Sequence, residues 1–299
     1  MKILVTGAAG FIGSNLTLEL ERRFPGYEIT AVDNFFSGCS ENLKNFKGKF
    51  ENRDISKGPV LSGTYDIIFH EAAITDPRYD NDKEMVRSNI QGFKNIIELA
   101  RSSGAKLVYA SSASMYGNGP APQREDQKKE ILSAYADSKL AMDVMAEELF
   151  GKMHIIGLRY FNVFGPGEAH KGRPASMIYH LVRQMKSGAV PRIFKMGEQK
   201  RDHIYVKDAV EATILAADAG KSGVYNVGTG LGVDFNELIA DINSLLGTSL
   251  KPEYIDNPYE GTYQNHTQAD TKAAEKYLGF KARYSLSAGI RDYIENYGL

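Results

Sequence analysis

The stretch ILVTGAAGFIG, residues 3–13, decides the fold. The short apolar run ILV leads into three glycines spaced GxxGxxG, and apolar residues then recur at the four-residue spacing of an amphipathic helix, at Ile12, Leu16 and Leu20. Because glycine has no Cβ, the backbone can turn tightly there and approach a pyrophosphate, whose charge is stabilised by the start of the helix. The stretch therefore predicts a strand, a phosphate-binding turn and a helix.

Asp33 favours the same interpretation. It stands 20 residues after Gly13, at the end of the second predicted strand, where an acid can accept hydrogen bonds from the adenosine ribose of a dinucleotide. The residues that follow it include no Arg or Lys to meet a ribose phosphate, which favours NAD over NADP: Asn34, Phe35 and Phe36. That preference would be reversed by a cation folding toward the ribose, from Lys44, Arg53 or Lys57.

Two other interpretations of the glycines were weighed. A tight turn beside a surface aspartate would need no ligand. A nucleotide-hydrolysing P-loop is disfavoured, because no Lys-Ser or Lys-Thr pair follows the glycines.

Short apolar runs alternate with helical patterns along the first half of the chain. The runs are ILV at 3–5, ITAV at 29–32, DIIF at 66–69, KLVYA at 106–110 and IIGL at 155–158, and helical patterns lie at 12–20, 95–100 and 141–150. Continuous apolar runs fit strands that are buried on both faces. We therefore predict an α/β fold, a Rossmann-type doubly wound parallel sheet with a smaller, interleaved α/β substrate-binding domain.

The composition changes after Phe161, where loops become rich in Gly and Pro. A helix is predicted over 206–217, a strand over 223–228 and a helix over 235–246. We expect a dinucleotide-binding domain over residues 1–161, joined by parts of 202–228 and 263–275, and a mainly substrate-binding domain over 162–299.

Composition excludes several classes of partner. The 36 basic and 37 acidic residues of the 299-residue chain form no long run of one sign, so neither nucleic acid nor a membrane is expected as a partner. A single cysteine, Cys39, can form no internal disulfide, and no apolar stretch approaches the roughly 20 residues that span a bilayer. We expect a soluble, cytoplasmic protein. No metal site is predicted, because no cluster with metal-ligand spacing surrounds His180 or His203.

The pattern YADSK, residues 135–139, places a phenol and an ammonium four residues apart on the predicted start of a helix, and therefore on one face. A neighbouring cation favours the phenolate, so Lys139 is expected to lower the pKa of Tyr135 toward the range of a working base. Upstream, Ser112 is predicted at the carboxyl end of a strand, where open parallel sheets bind their ligands. Its hydroxyl could hold a substrate oxygen while Tyr135 removes the proton.

Together these motifs resemble the extended short-chain dehydrogenase/reductase family over essentially the whole chain. The resemblance rests on GAAGFIG, Asp33, HEAA at 70–73, Asn89, SSASMYG at 111–117, YADSK, LRYFNVFGP at 158–166 and GVYNVGTG at 223–230. It implies bound NAD(P), Ser112 and Tyr135 as the catalytic pair, and Lys139 as the contact of the nicotinamide ribose. The implied cofactor-binding residues are Gly7, Gly10, Phe11, Ile12, Gly13, Asp33, Asn34, Asp54, Ile55, Glu71, Ala72, Ala73, Asn89, Tyr135 and Lys139.

Within that family the second half is most similar to the bacterial ADP-L-glycero-D-manno-heptose 6-epimerases. The similarity rests on HEAA, FNVFGPGEAHKG at 161–172, ASM at 175–177, GEQKRDHIYVKD at 197–208 and YQNHTQAD at 263–270. It implies a sugar carbon oxidised to a ketone, a ketone that reorients, and hydride return to its other face. Lys171 matches the lysine that serves the second orientation. Implied substrate contacts are Asn162, Ser176, His180, the strip from Phe194 to Gly197, Arg201 and Tyr263.

The resemblance also implies a nucleotide-diphosphate sugar as substrate, a product used in lipopolysaccharide core assembly, and a homo-oligomer. Arg201 suits the diphosphate, because a guanidinium can donate paired hydrogen bonds to it. Two departures from the pattern are Arg173 and Pro174, where small or flexible residues are common, and Ala136, where glycine is usual.

Three alternatives stay open. A UDP- or GDP-hexose 4-epimerase would use the same serine, tyrosine and lysine, with Lys171 as a phosphate contact. A 4,6-dehydratase is disfavoured, because Ala113, Ser114 and Met115 stand where that chemistry needs an Asp-Glu pair. A non-catalytic NAD(P)-sensing protein of the same fold would have no need for a proton-transfer set.

Overall fold

A parallel sheet of seven strands organises the residues that the computed structural model describes, 1–58, 62–76, 79–258, 261 and 264–299. In chain order the strands are β1 Lys2–Thr6, β2 Glu28–Asp33, β3 Lys49–Asn52, β4 Ile67–His70, β5 Lys106–Ser112, β6 Ile155–Tyr160, β7 Asn162–Phe164, β8 Arg192–Phe194, β9 Lys200–Arg201, β10 His203–Tyr205, β11 Gly223–Val227, β12 Val233–Asp234 and β13 Glu253–Ile255. The sheet has the order β11-β6-β5-β4-β1-β2-β3. Strand order therefore reverses at β1, and a crevice forms beyond the carboxyl ends of β1 and β4.

Helices cover both faces of this sheet, which confirms the predicted Rossmann-type fold. They are α1 Phe11–Arg23, α2 Asp82–Ser103, α3 Ala134–Glu147, α4 Met177–Lys186, α5 Val206–Ala216, α6 Phe235–Leu246, α7 Lys272–Leu278 and α8 Leu286–Tyr297. Ile3 and Val5 of β1 pack into the cluster that includes α1 and α5, whereas Leu4 packs into the cluster that includes α2 and α3. The continuous apolar run follows from this, because alternate side chains enter different cores.

Three elements differ from the prediction. The strand β3 was not predicted, because it is a mostly exposed sheet edge with the sequence KFEN and has no apolar run. The predicted helix over 95–100 is one part of the longer α2, which starts with Asn81 accepting a hydrogen bond from the Glu84 amide. The predicted helix over 141–150 begins earlier, at Ala134, and ends at Glu147.

The chain after Phe161 forms short ribbons and then returns to the sheet. The ribbons pair β7 with β10, β8 with β13 and β9 with β12. The strand β11 pairs in parallel with β6 and completes the sheet at its edge. Within the described ranges, no helix combines the length and the apolar character that crossing a bilayer requires.

Candidate active site

The glycine turn connects β1 to α1 at the crevice. Gly7 has φ +67°, and a Cβ there would lie 2.6 Å from the Ala72 nitrogen, so the turn packs directly on the loop after β4. A Cβ on Gly13 would lie 2.1 Å from the Gly7 carbonyl oxygen. At Gly10, by contrast, an added Cβ would meet only the Gly7 oxygen, at 3.1 Å. No side chain caps α1 and its first turn holds no acid, so the amides of Phe11, Ile12 and Gly13 suit the phosphates of a dinucleotide.

Asp33 ends β2 beside this turn. Its carboxylate accepts hydrogen bonds from the Ala9 amide at 2.9 Å and the Phe35 amide at 2.7 Å. Burial raises the pKa of Asp33, and the hydrogen bonds from backbone amides oppose that shift. The carboxylate thus lies against the turn, where it could accept the hydroxyls of a ribose.

The cations that could favour NADP each pair with an acid close by in sequence. Lys44 lies 2.6 Å from Glu41, Arg53 lies 3.4 Å from Glu51, and Lys57 lies 3.1 Å from Asp54. Phe36, three residues after Asp33, is 52% exposed and makes an edge-to-face ring contact with Tyr79. These contacts agree with the predicted preference for NAD.

The predicted serine, tyrosine and lysine come together from β5 and α3. Ser112 is the last residue of β5, and its hydroxyl accepts the Ser114 amide at 3.1 Å and hydrogen-bonds Tyr135. Lys139 is 1% exposed and donates to the Ala110 carbonyl at 2.7 Å, and its ammonium lies 5.9 Å from the centre of the Tyr135 ring. Ala136, the departure from glycine, is buried within the helix.

The pKa of Tyr135 differs from the prediction. Burial raises it to about 12, Glu71 adds to the shift, and the hydrogen bond with Ser112 opposes it. Burial also lowers the pKa of Lys139 to about 8, against the opposing charges of Glu71 and Asp143. A desolvated pair of this kind keeps the phenol protonated at neutral pH, so the nearby lysine does not outweigh burial.

Glu71 is a group whose environment could not be deduced from the sequence. It follows β4, and the hydroxyl of Tyr160 at the end of β6 lies 3.1 Å from its Oε1. Burial raises the pKa of Glu71 to about 7, with Tyr160 and Lys139 opposing the shift. The next residues, Ala72 and Ala73, are half-buried, and Ala72 packs on Gly7.

Asn89, Asp54 and Ile55 occupy supporting positions. Asn89 is 4% exposed and exchanges hydrogen bonds with the Ile74 amide and carbonyl at 2.8 and 3.1 Å, so it fixes the loop after β4. Asp54 accepts from the Ser56 amide and hydroxyl at 2.9 and 2.7 Å. Buried Ile55 accepts a hydrogen bond from Asn95 at 2.8 Å through its carbonyl.

Lys171 lies in a short 3₁₀ turn, Ala169–Lys171. In space, this turn lies beside Phe11, the first residue of α1. Its ammonium is 5.6 Å from the centre of the Phe11 ring. Burial lowers its pKa, while Glu168 and Asp76 act in the opposite direction. The sequence predicted Lys171 as the proton donor for the second orientation of the sugar, and its ammonium lies beside the glycine turn.

Glu168 holds the loop that carries Lys171 and was not singled out from the sequence. Its fully buried carboxylate accepts from the Gly165 amide at 3.0 Å, and from the Ser176 amide and hydroxyl at 2.6 and 3.0 Å. Ser176 in turn caps α4 through the Tyr179 amide. The carbonyl of Arg173 accepts a hydrogen bond from the His180 ring at 3.3 Å, so Arg173 adds a contact to this loop.

The other predicted substrate contacts are spread over the ribbons. Asn162 in β7 accepts from Thr267 at 2.9 Å and lies in register with His203 of β10. Arg201 is 6% exposed and donates to the carbonyls of Lys200 and Gln264. Phe194 ends β8, and the Gly197 amide donates to its carbonyl at 2.7 Å. Tyr263 lies outside the described residues.

Comparison with known proteins places this site in context. Residues 3–228 match the NAD dependent epimerase/dehydratase family. A curated relative, the ADP-L-glycero-D-manno-heptose-6-epimerase of Brachyspira hyodysenteriae, is 36% identical, with 98% of this chain and 96% of the relative covered. The crystal structure of the enzyme of that name from Helicobacter pylori has a TM-score of 0.93 and 35% identity, covering 100% of this chain and 96% of that one. The UDP-glucuronic acid 4-epimerase of Bacillus cereus, solved with UDP-glucuronic acid and NAD, has a TM-score of 0.85 and 27% identity, covering 99% and 100%.

Proposed function

The chain belongs to the NAD dependent epimerase/dehydratase family, and on that premise we propose that it is a nucleotide-sugar epimerase acting at C6 of ADP-glycero-manno-heptose. The substrate follows from the names of relatives that are 32–36% identical over nearly their whole length. The product would supply lipopolysaccharide core assembly.

The residues of the crevice suit a dinucleotide. Gly7, Gly10 and Gly13 bring the backbone close, the uncapped start of α1 offers amides to phosphates, and Asp33 offers a carboxylate to the ribose. When bound, NAD(P) would take a hydride from the sugar carbon and later return it, so that oxidation is transient. Lys139, whose ammonium lies 5.9 Å from the centre of the Tyr135 ring, would donate hydrogen bonds to a ribose.

The protein supplies the proton transfers. Ser112 would hold the sugar oxygen while Tyr135, in its phenolate form, accepts the hydroxyl proton as the carbon is oxidised to a ketone. After the ketone reorients, its oxygen needs a proton donor on the other side, and we assign that role to Lys171. The observation that carries the proposal is that Tyr135 and a second acid, Lys171 with its burial-lowered pKa, come from separate segments at the carboxyl edge of one sheet.

A UDP-hexose 4-epimerase is the second candidate. It is favoured by the position of Lys171 over Phe11 at the start of α1, where the ammonium could contact a phosphate. The similarity to 4-epimerases at 27–28% identity over nearly the whole chain is weaker than that to the heptose enzymes.

Turnover of defined sugars separates the candidates. The purified protein is incubated with ADP-D-glycero-D-manno-heptose, UDP-glucose or UDP-galactose, and products are resolved by NMR. We expect conversion of the ADP-heptose alone. Interconversion of the UDP-hexoses with ADP-heptose unchanged would establish the 4-epimerase. Binding of NAD(H) with no sugar converted would instead indicate the sensing protein.

The domain boundaries, the homo-oligomer and the cytoplasmic location stay predictions. The pairing of β11 with β6 supports assigning residues near 223–227 to the dinucleotide-binding part.

A further inference from the structure

A line of buried oxygen atoms runs from the active site to α5. Tyr160 lies in its middle, with its hydroxyl 3.1 Å from Glu71 Oε1 and 2.7 Å from the Thr213 hydroxyl. Thr213 in turn lies 2.7 Å from the Ala209 carbonyl oxygen. Tyr160 and Thr213 are buried, and Glu71 is half-buried.

The number of protons in this line depends on Glu71. Three contacts join the four oxygens, whereas Tyr160 and Thr213 bring only two hydroxyl hydrogens. If Glu71 is ionised, one contact has no hydrogen, and two oxygen lone pairs face each other. If Glu71 is protonated, it donates to Tyr160, Tyr160 donates to Thr213, and Thr213 donates to Ala209. Each of the three contacts then contains one hydrogen, and all three hydrogen bonds run in the same direction.

The length of the first contact agrees with this count. A hydroxyl that donates to a carboxylate usually lies at about 2.5–2.7 Å, because the charge shortens the bond. The separation between Tyr160 and Glu71 is 3.1 Å, which is longer than such a charge-assisted bond.

From this geometry we infer that Glu71 is a neutral carboxylic acid in the working enzyme. It acts as a positioning residue, and the loss of its proton impairs Tyr135. Only the effect on Tyr135 rests on the proposed function; the protonation of Glu71 does not. An ionised Glu71 would raise the pKa of Tyr135, and so oppose formation of the phenolate. A neutral Glu71 removes that opposing charge. Burial, which raises the pKa of Glu71 to about 7, supports the assignment.

The groups around Glu71 define what else could titrate. Lys139 and Tyr135 face it from α3, and Tyr160 faces it from β6. The group that α5 contributes next to Tyr160 is the Thr213 hydroxyl, which does not titrate. His70, its neighbour in β4, contacts Thr6 at 2.8 Å, and burial lowers the pKa of that histidine to about 3, so it stays neutral.

Infrared difference spectroscopy tests the protonation without any substrate. The spectrum of the wild-type protein minus that of Glu71→Gln should contain the carbonyl stretch of a protonated carboxylic acid, which disappears as pH is raised above about 8. A carboxylate band alone at about pH 6 would overturn the inference. If the Gln variant does not fold, Tyr160→Phe serves instead, because loss of the acceptor should shift the same band to higher frequency.

The pH profile tests the effect on catalysis, with whichever nucleotide sugar is converted. The ratio of wild-type kcat to Glu71→Gln kcat should fall up to about tenfold for each pH unit above the pKa of Glu71, because the glutamine cannot lose a proton. Glu98→Gln, on the exposed face of α2, is the matched control and should give a constant ratio. A constant ratio for Glu71→Gln would overturn the catalytic role, even with the infrared band present.

Discussion

At the scale of single residues, the proposed mechanism depends on two proton carriers that are held differently. Tyr135 is half-buried on α3 beside Ser112, whereas Lys171 is carried by a loop that Glu168 fixes through three hydrogen bonds. Burial shifts both pKa values toward the neutral form, upward for the phenol and downward for the ammonium. Under the proposed function, both groups exchange protons with a substrate.

We predict that Tyr135→Phe and Lys171→Ala each lower kcat for epimerisation by about 100-fold or more, because each removes a group that transfers a proton. Bound NAD, measured after denaturation, should stay near the wild-type amount. Lys94→Ala, on the exposed side of α2, is the control and should be unaffected. A Lys171→Ala protein that turns over at the wild-type rate would remove that lysine from the mechanism.

The residues of the crevice also show what a sequence can predict. The glycine turn and Asp33 could be deduced because their geometry is local and a few residues decide it. The environment of Glu71 could not be deduced, since its partner Tyr160 is 89 residues away and Thr213 is another 53 residues beyond that. The raised pKa of Tyr135 was missed for a related reason, because burial is a property of the folded site.

A further residue-scale prediction concerns the turn. Gly13→Ala should weaken NAD binding and lower the free energy of unfolding by about 1–3 kcal/mol, because its Cβ would lie 2.1 Å from the Gly7 oxygen. Gly26→Ala, just beyond α1, is the matched control, since no atom lies within 4 Å of the added Cβ. Urea denaturation and NAD titration measure both effects, and equal behaviour of the two variants would contradict the packing argument.

At the scale of elements, α3 is fastened to the sheet by a buried ion pair. Tyr135, Lys139 and Asp143 follow one face of the helix at four-residue spacing. Asp143 accepts from Arg159 of β6 at 2.9 Å and from Tyr109 of β5 at 2.9 Å, and the side chains of the ion pair are only 1% and 3% exposed. The face that presents the catalytic groups is thus anchored one turn below them.

We expect Arg159→Met to lower the free energy of unfolding by about 3–5 kcal/mol, because Asp143 would stay buried without its cation. The double variant Arg159→Met with Asp143→Asn should recover much of that loss, since the amide carries no charge and can still accept from Tyr109. Urea denaturation of the single and double variants measures this. No recovery in the double variant would indicate that packing, not the unpaired charge, explains the loss.

At the scale of the whole molecule, two buried histidines link stability to pH. Burial lowers the pKa of His70 and of His203 to about 3, with Lys139 and Arg201 adding to the respective shifts. Neither ring nitrogen of His203 has a hydrogen-bond partner among the described residues. A depressed folded-state pKa gives stability that is present above the unfolded pKa of about 6.5 and is lost as pH falls toward the folded value.

We therefore predict that the free energy of unfolding falls between about pH 6.5 and pH 4, by up to about 1.4 kcal/mol per pH unit for each histidine. His203→Leu should flatten this dependence, whatever its effect on stability at pH 7. Urea midpoints measured across that range for both proteins give the slopes. Identical slopes would show that His203 does not titrate between the folded and unfolded states.

The place of β11 has a consequence for engineering the enzyme. The chain builds β7 to β10 before β11 returns to pair with β6, so the sheet is completed by a segment from beyond the ribbons. A chimera that takes its sugar-recognising part from another relative therefore needs at least two crossover points, one after Tyr160 and one before Gly223. A single-junction swap after Tyr160 would replace the edge of the nucleotide-binding sheet along with the specificity loops.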